Sequence, residues 1–326
     1  MIYTITEESF ESLDSLQNEP GTGLNWSSVF ILPVWMKVWW QIFGNGAELH
    51  LRTVREGNKV IGIAPLFLRE RTASIVGSAD VCDYLDFVVV PGREEDFFNV
   101  ILDDLKENGI THLYMESLRP DSSVLTSLAG IAGNRRYEVD QMKEDISLDL
   151  DLPSGWEEYL GMLNSKQRHE VRRKLRRLQE AGNVSYRLLE KRDDILSSMD
   201  TFFRMFTESR DDKAVFLTDR IESFFRLLAG TLADAGLLKL GVLELDLTPA
   251  AMIIYFDYNN GIYLYNSGYD PQYNSLSAGL LSKVLCIKES IESNREKFDF
   301  LKGDEIYKYR LGGKEIPLYS CRINME

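Results

Sequence analysis

The sequence predicts an α/β (α+β) protein of two tandem domains, each a mixed, mostly antiparallel sheet flanked by helices. Three observations carry this. The chain has 326 residues, and at roughly 150 residues per domain that is enough for two hydrophobic cores. Its apolar runs, such as Ala250–Phe256, are of strand length and stand among segments of helical period. One order of elements also occurs twice: helices, a two-strand hairpin, a strand, a loop, a helix and a strand. Lys59–Arg69 corresponds to Ala250–Tyr258, Glu94–Asn108 to Ser277–Ser293, and Thr111–Ser117 to Lys297–Leu301, each offset by about 180–190 residues. Duplication of one domain explains the pattern, with domains at 1–150 and 151–326 and a tight boundary near Asp149–Pro153.

The elements follow in order. Helical periodicity covers Glu8–Gln17 and Pro33–Phe43. In the second, Pro33 suits the first turn and Trp35, Val38, Trp39 and Ile42 share a face. Strands are expected at Glu48–Arg55 and Lys59–Arg69, joined at Glu56-Gly57-Asn58. The Val- and aromatic-rich run Cys82–Val90 reads as a third strand, stopped by Pro91-Gly92. A helix at Glu94–Asn108, a strand at Thr111–Ser117 and another at Ile146–Leu152 complete the half. The second half opens with one long helix, Ser154–Ala181, started by a Ser154/Glu157 capping box and ended by Gly182. Val184–Leu189 is a strand, and Asp193–Ala235 holds two helices broken near Arg210–Ala214. A hairpin of Leu238–Asp246 and Ala250–Tyr258 follows, then a strand at Ile262–Ser267. The helix Ser277–Ser293 and strands at Lys297–Leu301 and Ile316–Ile323 finish the chain.

Composition excludes several classes. With 44% hydrophobic and 27% charged residues the chain is neither disordered nor collagen-like nor a coiled coil. No apolar run approaches the ~20 residues that span a bilayer, so no integral membrane segment is expected. The acidic start, MIYTITEESFESL, does not read as a signal peptide, and a cytoplasmic location is expected. Cys82, Cys286 and Cys321 are few, far apart and without a C-x-x-C pair, against a disulfide framework or a zinc knuckle. His50, His112 and His169 lack ligand spacing, so no metal and no Ser-His-Asp triad is expected.

Three segments stand out chemically. Lys166–Arg177, KQRHEVRRKLRR, carries seven basic residues and one acid, Glu170, a net +6 in a chain of net charge −14. On a helix, Leu160, Leu163, Val171, Leu175 and Leu178 form the buried stripe, while Arg168, Arg172 and Arg176 stack on a second face beside Arg173 and Arg177. A phosphate-bearing ligand or acidic partner would relieve their repulsion, and so would nearby carboxylates. One basic stripe on an acidic chain is not the broad footprint that duplex binding needs, so no DNA is expected. In Tyr263–Gly279, YLYNSGYDPQYNSLSAG, a strand ends at Asn266-Ser267-Gly268 and a polar loop opens a helix near Ser277, an arrangement that suits a pyrophosphate. It matches neither the P-loop nor G-x-G-x-x-G. In Phe298–Arg310, apolar residues give way at Gly303 to Asp304, Glu305, Tyr307, Lys308 and Arg310, where carboxylates beside a tyrosine could exchange protons. Asp83-Tyr84-Leu85-Asp86 stands at the matching place in the first half, as cleft lining or as a capped strand.

At these residues the sequence resembles the double-domain GNAT acyltransferases of the cellulose-biosynthesis (CelD) type, and through them the Fem peptidoglycan aminoacyltransferases. The likeness runs through Trp35…Trp39-Trp40 with Phe43-Gly44, Ile61-Gly62-Ile63-Ala64-Pro65-Leu66, Asp83–Phe87, the Lys166–Arg177 block, Tyr265–Tyr269, Phe298–Leu301, Gly303-Asp304-Glu305 and Tyr307-Lys308. The resemblance implies that Ile262–Ser267 and Lys297–Leu301 splay apart around acetyl-CoA or another acyl-CoA. It implies donor contacts at Tyr265, Asn266, Ser267, Gly268, Tyr269, Ser277, Ala278 and Gly279. Gln272–Gly279 keeps only a loose form of the family's pyrophosphate motif, without its Arg, which leaves an aminoacyl-tRNA donor open. Acids at Glu94 and Glu95 make the first half a degenerate domain without donor.

The expected chemistry is attack of an amine on the donor thioester, the acceptor being a small molecule, a sugar or a cell-envelope precursor. Tyr307 is the expected acid, and Asp304 or Glu305 the base. Lys308, Arg168, Arg172 and Arg173, with Asp83 and Asp86, are the expected acceptor- or phosphate-binding residues. The competing readings are a Fem-like tRNA-dependent transferase and a non-catalytic binding protein of the same fold.

Overall fold

The computed structural model describes residues 2–326. The strands, in chain order, are β1 (Tyr3–Glu7), β2 (Glu48–Glu56), β3 (Lys59–Arg69), β4 (Thr72–Ile75), β5 (Val88–Val89), β6 (His112–Leu118), β7 (Glu138–Asp151), β8 (Val184–Leu189), β9 (Leu238–Leu245), β10 (Thr248–Tyr258), β11 (Gly261–Tyr269), β12 (Lys297–Lys302) and β13 (Lys314–Asn324). The helices are α1 (Phe10–Asn18), α2 (Pro33–Phe43), α3 (Glu94–Glu107), α4 (Ala129–Asn134), α5 (Trp156–Met162), α6 (Ser165–Ala181), α7 (Arg192–Ser209), α8 (Asp211–Phe216), α9 (Asp219–Asp234), α10 (Ala278–Glu292) and α11 (Ile306–Arg310). The chain forms two compact units, unit 1 up to Ile146 together with Ile316–Glu326, and unit 2 at Ser147–Glu315.

In unit 1 the hydrogen-bonded order is β1-β2-β3-β4-β6-β13. Every pair is antiparallel except β4 and β6, which run parallel at Thr72–Ser74 against His112–Tyr114. The β2–β3 hairpin turns at Gly57, whose φ of 58° is in the left-handed region that glycine tolerates. Helix α2 starts on Pro33 and buries Trp35, Met36, Val38 and Trp39. The Trp35 and Trp39 ring N–H groups donate to Cys82 Sγ and Ser78 Oγ. A buried indole needs such a partner.

Unit 2 repeats the order: β8-β9-β10-β11-β12, then residues 147–151 of β7. Here too one pair, β11 and β12, is parallel. Helix α7 packs on β11 and α9, and α10 on β9 and β10. An aromatic cluster of Phe202, Phe203, Phe206, Phe224 and Phe225 joins α7 to α9.

Several expectations differ from the structure. The two helices expected within Asp193–Ala235 are three, the strand expected at Ile146–Leu152 starts at Glu138, and β1 and β4 lie where no strand is expected. The Cys82–Val90 run is a strand only at Val88–Val89. The rest is loop, its backbone spent elsewhere, as where Leu85 N donates to Ser117 O. The helix expected over Ser154–Ala181 is two. Asn164 stands in extended backbone between them and accepts from Gln167 N, capping α6. The apolar period runs on through the break, since Leu160, Leu163, Val171 and Leu178 are all buried. Ser154 bonds the Glu158 carboxylate and caps no backbone. Finally, Ile316–Glu326 does not close the second half but joins unit 1, where β13 pairs with β6 from Tyr319↔Leu118 to Asn324↔His112. No helix among the described residues is long and apolar enough to cross a membrane.

Candidate active site in unit 2

Two parallel strands that start together in unit 2 do not stay together. Gly261, Ile262 and Tyr263 register with Lys297, Phe298 and Asp299, and beyond them no residue of 264–269 is registered with β12. Both strands have a local cause to turn away. In β11 the register against β10 passes from Ile254↔Asn266 to Tyr255↔Leu264, so Tyr265 is a bulge, which bends a strand. Farther along, Gly268 lies against α7 so closely that a Cβ there would come within 2.4 Å of Phe206 N. In β12, Leu301 takes a φ of 58° and Gly303 of 106°. The Asp299 carboxylate accepts from Leu301 N at 2.8 Å and holds that turn.

The gap opens into a cleft of about 300 Å³. Ser267 and Tyr269 line it from β11, and Glu305 and Tyr307 from the segment after β12. Ser209, Arg210 and Lys213 come from the α7–α8 corner and Lys174 from α6. Asn274, Ser277, Gly279, Leu280 and Lys283 complete it at the start of α10. Helix α10 begins at Ser277 in left-handed backbone, with no side-chain cap and no acid in its first turn. Its first amides and the positive end of its dipole are therefore left for an anion.

The charges are unevenly matched. Glu305 sits 2.9 Å from Lys308 Nζ and 3.7 Å from Arg210 Nη1. Burial acts to raise its pKa, but these cations together hold the carboxyl below its usual range. Burial, and next the Glu305 charge, push the Tyr307 phenol well above its usual value, so it keeps its proton. Lys213 Nζ donates to Ser267 O, and burial lowers its pKa to about 8. Lys283 Nζ donates to Gly279 O at 2.8 Å and stands 5.0 Å from the centre of the Tyr307 ring. Burial, and next the charge of Lys213, bring it down to about 7.

Of the expected site residues, the structure brings Ser267, Tyr269, Ser277, Gly279, Glu305 and Tyr307 to this one cleft. Tyr265 packs instead on Phe225 and Phe256. Asn266 registers with Ile254 in the β10 ladder, and Ala278 is fully buried. Gly268 is a packing residue by the approach just described. Asp304 is exposed and does not line the cleft.

Lys308 does not face a ligand. It is 2% exposed, and its Nζ donates to the carbonyls of Leu301, Lys302 and Gly303 at 3.0, 2.6 and 3.0 Å. Arg168 donates to Leu160 O and Gly161 O, Arg172 pairs with Glu157 and Arg173 with Glu170. The basic face of α6 is thus answered by neighbouring groups, one of the two readings its sequence left open. Asp83 and Asp86 lie in the loop before β5 of unit 1. There Asp86 accepts from Ser123 N, Ser123 Oγ and Phe87 N, and burial raises its pKa to about 6.

Sequence reasoning missed Ser209, Arg210, Lys213 and Lys283. The α7–α8 corner read only as a helix break. The signal at Lys283 was a lone charge in an otherwise apolar stretch, and the helix buries it.

Residues 165–309 match the model of a family described as acetyltransferase (GNAT) domain. Compared by sequence with curated proteins, the chain finds no match. Among solved structures, FemX aligns with a TM-score of 0.65 at 11% identity, over 97% of this chain and 96% of its own. A conserved protein of unknown function from Bacteroides thetaiotaomicron aligns at 0.62 and 11% identity, over 99% and 100%. The C-terminal domain of a putative lysylphosphatidylglycerol synthetase from Agrobacterium fabrum aligns at 0.55 and 12%, over 89% and 88%. The splayed pair, the open helix start and the cleft all lie inside the segment that matches the acetyltransferase (GNAT) domain model, in a chain whose two-domain fold is similar to that of FemX.

Proposed function

We propose that unit 2 transfers an acyl group from acyl-CoA to an amine, with the thioester received where β11 and β12 part. The observation that carries this is the early end of the parallel ladder. Beyond Tyr263 no residue of β11 is registered with β12, and Ser267 and Tyr269 line the cleft from that uncovered stretch. Fixed main-chain donors on such a stretch stabilise an oxyanion without reorganising. The uncapped start of α10 supplies amides and positive potential for the donor's diphosphate, compensating for the arginine missing from Gln272–Gly279.

Tyr307 keeps its proton to well above neutral pH and lines the cleft, which suits the acid that protonates the departing thiolate. Glu305, held anionic, is the candidate base for the incoming ammonium, directly or through water. Direct attack in a ternary complex needs no covalent enzyme intermediate. An acyl-CoA donor is preferred to a tRNA-borne one because three arginines of α6, Arg172, Arg173 and Arg176, lie by Glu157, Glu170 and Glu180.

The test is titration with acetyl-CoA followed by a screen of acyl-CoA thioesters against amino-acid and amino-sugar acceptors. Binding in the micromolar range and release of free CoA support the reading. Tyr307→Phe should then lower kcat by about 10²–10⁴-fold, the usual contribution of a positioned acid. Unchanged kcat across pH removes Tyr307 from that role.

A further inference from the structure

We infer that Lys213 and Lys283 form a paired receptor for a carboxylate on the reactant that enters the unit 2 cleft, so that the protein takes a small acid-bearing acceptor or acyl group. This deepens the proposed function and rests on its placement of the reacting centre.

The geometry is unusual for lysine. Lys283 is 7% exposed and Lys213 half-buried, yet each ammonium hydrogen-bonds a main-chain carbonyl, Gly279 O and Ser267 O, and besides that stands over an aromatic ring, Tyr307 and Phe206. Among the described residues neither has a carboxylate within ion-pair distance, whereas every other cation of the cleft does. Arg210 is held by Asp212, Lys174 lies by Glu170, and the nearby carboxylate Glu305 is taken by Lys308 and Arg210. Two desolvated like charges facing one open volume are costly as they stand, and an anion between them removes the cost. Lysines are rarely buried without a charged partner.

Position, beside the proposed acid Tyr307, argues for a carboxylate rather than a phosphate. Lys213 is anchored on Ser267, inside the stretch of β11 that β12 does not cover, and Lys283 lies over the ring of Tyr307. Lys283 reaches the ring of the proposed acid from the start of α10, where it bonds Gly279 O, and Lys213 meets it from the uncovered edge of β11.

The pair must be protonated to act. The groups facing it are Arg210 and Asp212 beside Lys213, Cys286 on α10, and Glu305 and Lys308 across the cleft. Since burial lowers both lysines, carboxylate affinity should fall as pH rises through about 7 and about 8.

The experiment is calorimetry and thermal melting of the full chain with glutarate, L-glutamate or inorganic phosphate, on wild type, Lys213→Met and Lys283→Met. Glutarate carries the acid of an acyl group, and glutamate that of an amine acceptor. At least one of the two should bind, more weakly at pH 9 than at pH 6.5, and each substitution should weaken it by about tenfold or more, the loss of one charged hydrogen bond. Both variants remove a buried charge, so without ligand they should melt no lower than wild type. That shows that lost binding is not lost folding. Absence of binding by either acid, equal binding in wild type and variants, or a response to phosphate alone overturns the carboxylate receptor. Acyl-CoA binding is read separately. Carboxylate binding without acyl transfer sinks the transferase reading and leaves the receptor standing, whereas transfer to neutral amines unaffected by both substitutions does the reverse.

Discussion

Lys308 gives the sharpest test of how the end of β12 is built. After Asp299 the strand turns through Leu301 and Gly303, both with positive φ. Leu301 carries a Cβ, so this conformation costs of the order of 1 kcal/mol and needs support. The support is one ammonium, 2% exposed, that collects three successive carbonyls and the Glu305 carboxylate. Lys308→Met keeps most of the stem volume but leaves three acceptors short of a donor and a half-buried carboxylate without its nearest cation. Since Glu305 is partly exposed and keeps Arg210, the cost is that of buried acceptors left without their donor, about 1–3 kcal/mol. That is a measurable part of the ~5–15 kcal/mol that holds an ordinary domain together. Urea unfolding followed by circular dichroism should show this loss, and hydrogen exchange should speed up over residues 297–313. Lys308→Arg should not rescue, because a guanidinium is too broad for a pocket formed by three adjacent carbonyls. If Lys308 bound a substrate phosphate, Arg would substitute well, KM would rise and stability would hold. A Lys308→Met protein within about 0.5 kcal/mol of wild type refutes the staple.

Gly268→Ala should place a Cβ 2.4 Å from Phe206 N and 2.6 Å from Met205 C, both backbone atoms that cannot swing aside. Overpacking of this kind costs about 1–3 kcal/mol in thermal or urea unfolding, and a shift of α7 would displace Ser209 and Arg210 from the cleft and lower transfer. Arg172→Ala combined with Arg173→Ala should leave acyl transfer unchanged and cost under about 1 kcal/mol, since both are exposed pairs with Glu157 and Glu170. A steep loss of activity would restore them to the site. Asp86 titrates at about 6 in the folded chain against an ordinary 3.8, so its contribution favours folding at low pH and is lost as pH rises through about 6. Two units are worth about 3 kcal/mol. Asp86→Asn should remove that dependence between pH 4 and 6 in urea unfolding.

What the sequence made legible was what lies in short windows. The helices before β6 and β12 and most of the order of elements follow from apolar period and turn residues. The splay of β11 from β12 rests instead on the resemblance, and β4, which makes the parallel pair of unit 1, lies where the sequence predicts no strand. The cleft residues found in advance, Ser267, Tyr269, Ser277, Gly279, Glu305 and Tyr307, sit beside those turns or in the segments that carried the resemblance. What failed was partner choice over distance. Lys308 and Arg172 are both plain cations in sequence, yet one is captured by carbonyls five to seven residues back and the other by Glu157. Gly268 read as a donor contact because the helix that presses on it lies some 60 residues earlier. The C-terminal strand was misassigned for the same reason. Its pattern says strand, and nothing in its own residues says which sheet.

The repeated topology also separates the two units chemically. Each has a parallel pair that ceases to register after three residues, β4 with β6 and β11 with β12. In unit 1 the edge beyond that point is spent. Leu85 N donates to Ser117 O, Ser117 N to Glu144 Oε1, and Ala79 N to Glu116 Oε1. The helix that follows, α3, opens with Glu94, Glu95 and Asp96, acids that satisfy its own dipole and repel a phosphate. In unit 2 no acid stands in the first turn of α10 and no side chain caps it, while Lys213 and Lys283 add positive charge to the gap. Two copies of one architecture have therefore been given opposite electrostatics at the same place. On the proposed reading, the second offers an anionic thioester donor an open edge, whereas the corresponding edge of the first is already filled by these bonds.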